Sequence, residues 1–304
     1  MSLLVIGATV VDLIVTNAPR LPRWPRHSEF TSDNLVLLKD APLVTLGGNG
    51  ANAAYVAACD GAEVHLCTRL GRDAFGEMVR GWMAKVRCQV LPGGEIPRTS
   101  VNITAANVAH SRATFFYPPP APLLPKSKDL SADLTHVLAC GWPHPPFPQL
   151  EKTFRSLRRK GLFTALDAGP ILGKPWSLKS LQPVLDSLDL LLTNEYEINT
   201  ITRNVDLALS LKKLRRGFAG HVVVKRGRRG ALWLPAGSSK TCAIKPQQIR
   251  AINTVGAGDS FNGALMGALS LKMDFPAALA EATKIAAAVV ASHEGVLGAR
   301  KREG

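Results

Sequence analysis

Apolar and polar positions alternate along most of the chain in blocks that suit two kinds of element. Near-continuous apolar runs, many rich in β-branched residues, occupy residues 3–7, 63–68, 135–140, 162–167, 188–193 and 221–226. Such continuous apolarity predicts strands that are covered on both faces. The segments between them have helical spacing and often stop at glycine, as at 50–62, 73–86, 147–161 and 205–217. Repeated βα units predict an α/β fold with a doubly wound, mostly parallel sheet and helices on both faces.

Two regions interrupt this rhythm. Residues 14–45 contain several prolines and are too irregular for another βα unit, whereas residues 98–117 alternate as two strands around a polar turn at 109–111. We expect them to form a small second β-sheet that acts as a lid. A chain of 304 residues is long for one domain, but α/β proteins reach this length around one extended sheet. The expectation is a single α/β domain over 1–304, with lid segments inserted at about 14–45 and 98–117.

The chain is strongly basic. Lysine and arginine outnumber aspartate and glutamate by 37 to 23, which gives a formal net charge of +14. Such a surface attracts anions such as nucleotides, sugar phosphates or nucleic acid. The densest basic groups are not interleaved with aromatic residues, as a platform for single-stranded nucleic acid would be. The charge is therefore interpreted as solvated surface, and no nucleic-acid partner is predicted.

Cysteine usage and the N-terminal segment bear on the compartment. The five cysteines include no Cys-x-x-Cys pair and no histidine-containing spacing typical of zinc, and scattered thiols of this kind fit the reducing cytoplasm. The apolar N-terminal segment lacks a basic leader and is interrupted by Asp12, so it is interpreted as a buried strand rather than a signal peptide. No apolar run is long enough to cross a bilayer, and no membrane partner is predicted.

The segment NTVGAGDSFNG at residues 253–263 combines glycines, a small residue and one carboxylate just before a predicted helix. A glycine-rich turn at a helix N-terminus exposes backbone N–H groups where the helix dipole is positive, which suits a phosphoryl group with growing negative charge. Gly256, Ala257 and Gly258 provide this turn, and the helix is predicted to start near Asp259. The alternative is an ordinary capped helix in which Asp259 only complements the dipole.

A second glycine-rich segment, LGGNGANAA at residues 46–54, precedes an alanine-rich predicted helix. Gly48 permits a tight turn, and Asn49 and Asn52 supply amides that can both donate to and accept from hydroxyl groups. Asp12 follows the first predicted strand, at the edge where ligands of open α/β sheets bind, so its carboxylate could hold two sugar hydroxyls. The alternative for Asp12 is a turn cap.

Five motifs occur in the order and spacing of a known family: GGNGANAA, TRLGRDAFGE at 68–77, LTNEYE at 192–197, VKRGRRGA at 224–231 and NTVGAGDSFNGAL at 253–265. Through them almost the whole chain resembles the ribokinase-like carbohydrate kinases of the phosphofructokinase-B type. The resemblance implies ATP-dependent transfer of the γ-phosphoryl group to a hydroxyl group of a sugar or sugar derivative. Asp259 would then be the general base, and Gly256, Ala257 and Gly258 would form the anion hole.

The same resemblance implies roles for residues elsewhere in the chain. Asn194 and Glu197 match a motif for Mg²⁺ and its water shell beside the nucleotide phosphates. The alternative is a helix whose N-cap is Asn194 and whose first turn contains Glu197. Lys225 and Gly227 match the nucleotide-binding loop, to which Gly258 also contributes, although a hairpin turn explains Gly227 equally well. The positions that match acceptor-binding residues are Asp12, Gly48, Asn49 and Asn52.

Departures from the family pattern bear on the acceptor and on cations. Asn253 stands where the family usually has aspartate at a monovalent-cation site, so K⁺ activation is left open. Trp142 replaces an acidic sugar contact of ribokinase, which argues against plain ribose and leaves room for another acceptor. Arg112, on the predicted hairpin, could meet an anionic acceptor or be solvated surface. Lid sheets of this family often pair between subunits, so a homodimer through the lid is a further expectation.

Two other functions stay open on the sequence alone. A nucleoside kinase of the same superfamily could stack its acceptor base on Trp142. A non-catalytic sugar-binding homologue would keep the fold without turnover, but it would have no need of a base at Asp259. The alanine-rich segment at 277–295 is expected to be a core helix whose small side chains leave a slot for adenine.

Overall fold

The computed structural model describes residues 1–22, 34–107, 112–121, 123–125, 130–141, 148–169, 176–252 and 254–299. Its strands are β1 Ser2–Ile6, β2 Val10–Ala18, β3 Leu43–Gly47, β4 Glu63–Leu70, β5 Gln89–Glu95, β6 Val101–Asn107, β7 Arg112–Phe116, β8 Leu134–Cys140, β9 Phe163–Asp167, β10 Leu190–Asn194, β11 His221–Lys225, β12 Ala231–Leu234 and β13 Cys242–Ile244. Its helices are α1 Asn49–Cys59, α2 Ala74–Lys85, α3 Pro148–Arg159, α4 Leu178–Leu185, α5 Glu195–Thr202, α6 Leu207–Arg215, α7 Ala257–Ser270 and α8 Phe275–Val290. Every apolar run predicted as a strand forms one, with ends that shift by one or two residues.

Within the described residues, nine strands form the main sheet in the order β13-β12-β11-β10-β9-β8-β1-β4-β5. Neighbouring strands from β11 to β5 are parallel, and β12 and β13 add an antiparallel edge. Helices α1, α2, α7 and α8 pack in one apolar cluster, and α3 to α6 pack in the other. The predicted doubly wound α/β fold is confirmed. Strand order reverses between β1 and β8, and such a switch point leaves a crevice at the carboxyl ends of the strands.

A second, smaller sheet contains the strands β3-β2-β6-β7 in that order. β6 and β7 are the two antiparallel strands of the predicted hairpin, although the turn at 108–111 lies outside the described residues. No separate strand is predicted over Val10–Ala18, because the first strand is placed at 3–7 and residues 14–45 are assigned to an irregular lid segment. In the structure this segment is β2, which leads the chain from the main sheet directly into the second one.

The two faces of the second sheet differ. Asp12, Asn102 and Phe116 line a cavity on one face. On the opposite face, an apolar row crosses the four strands in register: Val44, Leu13, Ile103 and Phe115. The side chains at the β6–β7 end of this row, Ile103 and Phe115, are 43% and 58% exposed. None of the described helices combines the length and the apolarity needed to cross a membrane.

Candidate active site

A cavity of about 1880 Å³ lies at the carboxyl ends of the main-sheet strands, next to the second sheet. The predicted site residues that line it are Asp12, Gly48, Asn49, Asn52, Asn194, Glu197, Lys225, Gly227, Gly256, Ala257, Gly258 and Asp259. Trp142 and Asn253 lie outside the described residues, as does the side chain of Arg112 at the start of β7. The fold therefore brings polar groups from distant parts of the sequence to one cavity.

Asp259 lies in the first turn of α7. The helix begins at Ala257, two residues before the predicted start, with Gly256 as its N-cap. Gly256 has a φ of 77°, in the left-handed region, and a Cβ at this position would lie 2.8 Å from Val296 Cγ2. Both the backbone conformation and the lack of space therefore favour glycine here.

The first turn of α7 presents backbone donors to the cavity. The amide of Ala257 makes one long contact, 3.4 Å from the carbonyl oxygen of Thr254. The amides of Gly258 and Asp259 have no backbone acceptor among the described residues, as expected for the first turn of a helix. Because these donors lie at the positive end of the helix dipole, they suit an anion.

The carboxylate of Asp259 lies beside these amides. Asn52 Nδ2 donates a hydrogen bond of 3.1 Å to Asp259 Oδ2. Burial raises the pKa of Asp259 to about 6, and the negative charge of Asp167 adds to this effect. The hydrogen bond from Asn52 and the positive charge of Lys225 oppose it. Asp259 is thus mostly ionised at neutral pH but basic enough to take a proton, which suits a general base.

A buried ion pair lies next to the same turn. Lys225 Nζ is 2.9 Å from Asp167 Oδ1 and 3.1 Å from Asn262 Oδ1. Burial alone would lower the pKa of Lys225, but the charges of Asp167 and Glu197 outweigh burial and the pKa is raised. Lys225 therefore stays a cation. Its Nζ would be 3.6 Å from a Cβ built on Gly258.

Asp12 is the third residue of β2, and its side chain is buried. Asn102, its partner on β6, donates from Nδ2 to Asp12 Oδ1 at 3.1 Å. Burial raises the pKa of Asp12, and this hydrogen bond opposes the rise. The missing Cβ of Gly47 leaves the space that the carboxylate occupies. The turn-cap interpretation of Asp12 is wrong, because the residue lies within a paired strand.

The asparagines of α1 already have local partners. Asn49 Oδ1 accepts hydrogen bonds from the amides of Ala8 at 3.1 Å and Gly50 at 2.8 Å. Gly48, with a φ of 85°, lets the chain approach Ala8, because a Cβ there would lie 2.5 Å from the Ala8 carbonyl oxygen. Asn52 holds Asp259. Contacts of these amides with acceptor hydroxyls stay a prediction.

Asn194 and Glu197 form a reciprocal cap at the start of α5. Asn194 Oδ1 accepts from the amide of Glu197, and Glu197 Oε2 accepts from the amide of Asn194, each at 2.8 Å. The helix-cap alternative is therefore present in the structure, and it does not involve Glu197 Oε1. Within the described ranges, no three His, Cys, Asp or Glu side chains come together as a metal cluster.

Helix α8 and the turn between β11 and β12 also line the cavity. This turn is the hairpin foreseen as an alternative, with Gly227 and Gly230 at φ of 54° and 76°. Glu195 anchors it, because it accepts hydrogen bonds from Arg226, at 2.9 Å, and from Arg229. The small residues of α8 on this wall are Ala286 and Ala287, where the alanine-rich helix was expected to leave a slot.

Comparison with known proteins agrees with this architecture. The pattern of the pfkB family of carbohydrate kinases matches residues 2–302. The chain belongs to this family. The kinase is 24% identical to ribokinase from Bacillus subtilis over 302 residues, which cover 95% of this chain and 92% of that protein. It is 25% identical to cytidine kinase from Thermococcus kodakarensis over 247 residues, which cover 79% and 86%.

Solved structures share the fold. The structure of Arabidopsis thaliana ribokinase complexed with ribose and ATP matches with a TM-score of 0.80 at 20% identity, over 98% of this kinase and 95% of that chain. The family match over residues 2–302 confirms the resemblance to ribokinase-like kinases, and the chain is a phosphotransferase.

Three polar residues of the kinase site were not predicted from its sequence: Asp167, Asn262 and Asn102. Asp167 is the last residue of an apolar strand, as Asn194 is, and a polar residue at that edge is the signal that could have identified it. Asn262 stands within the recognised glycine-rich motif, on the second turn of α7. Nothing local distinguishes Asn102, because its partner Asp12 is 90 positions away.

Proposed function

We propose that this kinase transfers the γ-phosphoryl group of ATP to a hydroxyl group of a sugar or sugar derivative, with Asp259 as the general base. The observation that supports this most strongly is the position of Asp259. Its carboxylate, with a pKa of about 6, shares a helical turn with amides that lack partners among the described residues. The general base and the anion site therefore lie together, as the transfer of a phosphoryl group to an alcohol requires.

The reaction needs one proton transfer and one displacement. Asp259 takes the proton of the acceptor hydroxyl while the hydroxyl oxygen attacks the γ-phosphorus. The bond from the γ-phosphorus to the bridging oxygen breaks, and ADP leaves with that electron pair. The amides of Ala257 and Gly258, at the N-cap formed by Gly256, would stabilise the charge on the transferring group. Closure of the second sheet would exclude water, which otherwise competes as acceptor.

The acceptor end would be the part of the cavity next to the second sheet. Asp12, fixed by Asn102, would accept hydrogen bonds from two hydroxyl groups, because an ionised carboxylate only accepts. The other residues proposed to contact the acceptor are Gly48, Asn49, Asn52, Trp142 and Arg112. Asn194, Lys225, Gly227 and Gly258 would contact the nucleotide, with the adenine ring against the small residues of α8.

The donor set fits a water-mediated Mg²⁺ site. Glu197 Oε1 has no hydrogen-bond partner among the described residues, and the missing Cβ of Gly169 leaves space beside it. Asn194 has its side-chain oxygen in the helix cap, so Glu197 would hold the water shell of the ion and Asn194 would lie beside it. When bound, Mg²⁺ would neutralise charge on the phosphates. K⁺ dependence at Asn253 stays a prediction.

The assembly and the compartment are also part of the proposal. The segments at about 14–45 and 98–117 would act as a lid, and the apolar row on the outer face of the second sheet would be buried in a homodimer. Exposed apolar rows of this kind are typical of association surfaces. The five cysteines, all within the described residues, form no disulfide, which supports a reducing compartment such as the cytoplasm.

A nucleoside is the second candidate acceptor. Phe116 and Tyr117 line the cavity beside Asn102, and they are 44% and 56% exposed. Aromatic faces that are open to a cavity can stack on a planar base. The 25% identity to cytidine kinase from Thermococcus kodakarensis agrees with this alternative.

ADP formation tests the proposal. Purified protein would be assayed with Mg·ATP against pentoses, ketohexoses, sugar acids, sugar phosphates and nucleosides. We expect turnover with at least one class, and Asp259→Ala should lower kcat by about 10²–10⁴ while nucleotide binding is retained. Asp186→Ala, at an exposed carboxylate that ends α4, is the control and should keep normal turnover. Near-normal activity of Asp259→Ala, or no ADP formation with any class, would refute the proposal.

A further inference from the structure

One N–H group of the Lys225 ammonium has no acceptor among the described residues. Its side chain is only 16% exposed, and two of its three N–H groups are directed at Asp167 and Asn262. No other described residue accepts a hydrogen bond from Nζ. A buried ammonium group with an unused donor is costly to maintain unless a ligand completes its coordination.

The location of this ammonium group indicates which ligand that is. Nζ lies beside Gly258, whose amide has no backbone acceptor among the described residues. An anion bound to the first turn of α7 would therefore contact the amides on one side and Nζ on the other. Lys225 and Gly258 both line the cavity, as does Asp259.

The surrounding charges make a cation necessary at this point. Asp167 contacts Nζ at 2.9 Å, and the negative charges of Glu197 and Asp259 also act on Lys225, so acidic groups outnumber basic ones around this ammonium group. A phosphoryl group that passes through such a site is repelled by the acids unless a positive charge lies directly against it. Lys225 supplies such a charge, because its Nζ lies beside Gly258 in the first turn of α7.

We propose that Lys225 donates its remaining N–H to the γ-phosphoryl group, both in bound ATP and during transfer, and that Asp167 is the positioning residue that fixes this ammonium group. The inference rests on the proposed function, and it goes further in two ways. It moves Lys225 from general nucleotide binding to contact with the transferred group. It also gives Asp167, which no sequence motif indicated, a role that it exerts through Lys225.

The test variant replaces both members of the ion pair. Lys225→Met alone would leave Asp167 as a buried, unpaired charge and could fail to fold, whereas Asp167→Asn/Lys225→Met removes both charges together. We expect the double variant to fold, to lose about 10²–10³ in kcat and to change the acceptor KM by less than about threefold. Asp167→Asn alone, which keeps the cation but loses its anchor, should lower kcat by about tenfold.

A binding measurement separates this inference from the proposed function. Titration calorimetry with Mg·ATP and Mg·ADP, without acceptor, gives the preference for ATP over ADP. The double variant should lose about tenfold or more of that preference, because the lost hydrogen bond goes to the γ-phosphoryl group only. If the two residues merely support the fold, their replacement would lower the affinity for ATP and the affinity for ADP equally. Lys212→Met, at an exposed lysine of α6, is the matched control and should behave as wild type.

The outcomes are distinct. If the double variant keeps its kcat within about threefold and keeps the wild-type preference for ATP, Lys225 does not contact the transferred group. If Asp167→Asn changes neither quantity, Asp167 has no positioning role. If the wild type prefers ATP but phosphorylates no acceptor, the proposed function fails, and the calorimetry still tests the contact of Lys225 with the γ-phosphate.

Discussion

Replacing Asp259 by asparagine should make the protein more stable at neutral pH while it removes turnover. The pKa of Asp259 is raised from 3.8 to about 6, chiefly by burial. The folded protein therefore binds this proton more tightly than the unfolded chain does, and the ionised carboxylate destabilises the fold. Asparagine has no charge to bury, and it keeps one side-chain oxygen to accept the hydrogen bond from Asn52.

The size of the effect follows from the pKa shift. When folding raises the pKa of a carboxyl group, the fold is stabilised at any pH below the pKa that the group has in the unfolded chain. For Asp259 this contribution is lost as the pH rises from about 4 to about 6. A shift of about two units corresponds to at most about 3 kcal/mol at neutral pH. Asp259→Asn should recover most of that amount at pH 7.5. At pH 4, where Asp259 is protonated in the folded protein and partly protonated in the unfolded chain, most of the difference should disappear.

Urea unfolding without ligands, at pH 4 and at pH 7.5, measures this difference directly. Asp186→Asn serves as the control, because that carboxylate is exposed and should show little change at either pH. The reasoning is refuted if Asp259→Asn has the same stability as the wild type, or a lower one, at pH 7.5. A gain that is equally large at pH 4 would also refute it, because the cause would then not be the buried charge.

Three further predictions concern other parts of the structure. Asn52→Leu removes the hydrogen bond that lowers the pKa of Asp259, so the acidic limb of the pH profile of kcat/KM should move to higher pH; a limb that stays in place would mean that another group titrates there. Gly256→Ala should cost about 1–3 kcal/mol in chemical denaturation and lower kcat, whereas Gly81→Ala, where a Cβ meets nothing within 4 Å in a helix, should be neutral or stabilising. Ile103→Lys should convert a dimer to monomers in light scattering, and a wild-type protein that is already monomeric would contradict the proposed lid interface.

The features that were predicted correctly from the sequence are those with a local sequence pattern. The parallel strands are near-continuous apolar runs, so each could be identified from its own residues. The first turn of α7 was recognisable for a similar reason, because its small residues, Gly256 and Gly258, lie close together in the sequence. β2 was missed because residues 14–45 were assigned to an irregular segment, whereas the strand runs from Val10 into that segment. The requirement for a carboxylate at Asp12 comes from the cavity and not from the strand.

The residues that the sequence did not reveal are joined by long-range contacts. Asp167 and Lys225 are 58 positions apart, and they meet only because β9, β10 and β11 are neighbours in the main sheet. The pair formed by Asp12 and Asn102 likewise depends on the register of β2 against β6. Neither contact follows from residue spacing, so a single sequence gives the positions of such residues but not their partners.

The charges of the cavity connect stability with function. Burial raises the pKa of Asp12, of Glu197 and of Asp259, so each of these carboxylates destabilises the ligand-free fold when it is ionised. The raised pKa of Lys225 has the opposite effect, since its carboxylate neighbours stabilise the ammonium form. A cavity with excess buried acid gains stability from ligands that donate hydrogen bonds or carry positive charge. An acceptor rich in hydroxyl groups supplies the former at Asp12, and a nucleotide with its cation supplies the latter near Glu197. Each of the two substrates should therefore raise the stability of this fold, most strongly where these carboxylates are ionised.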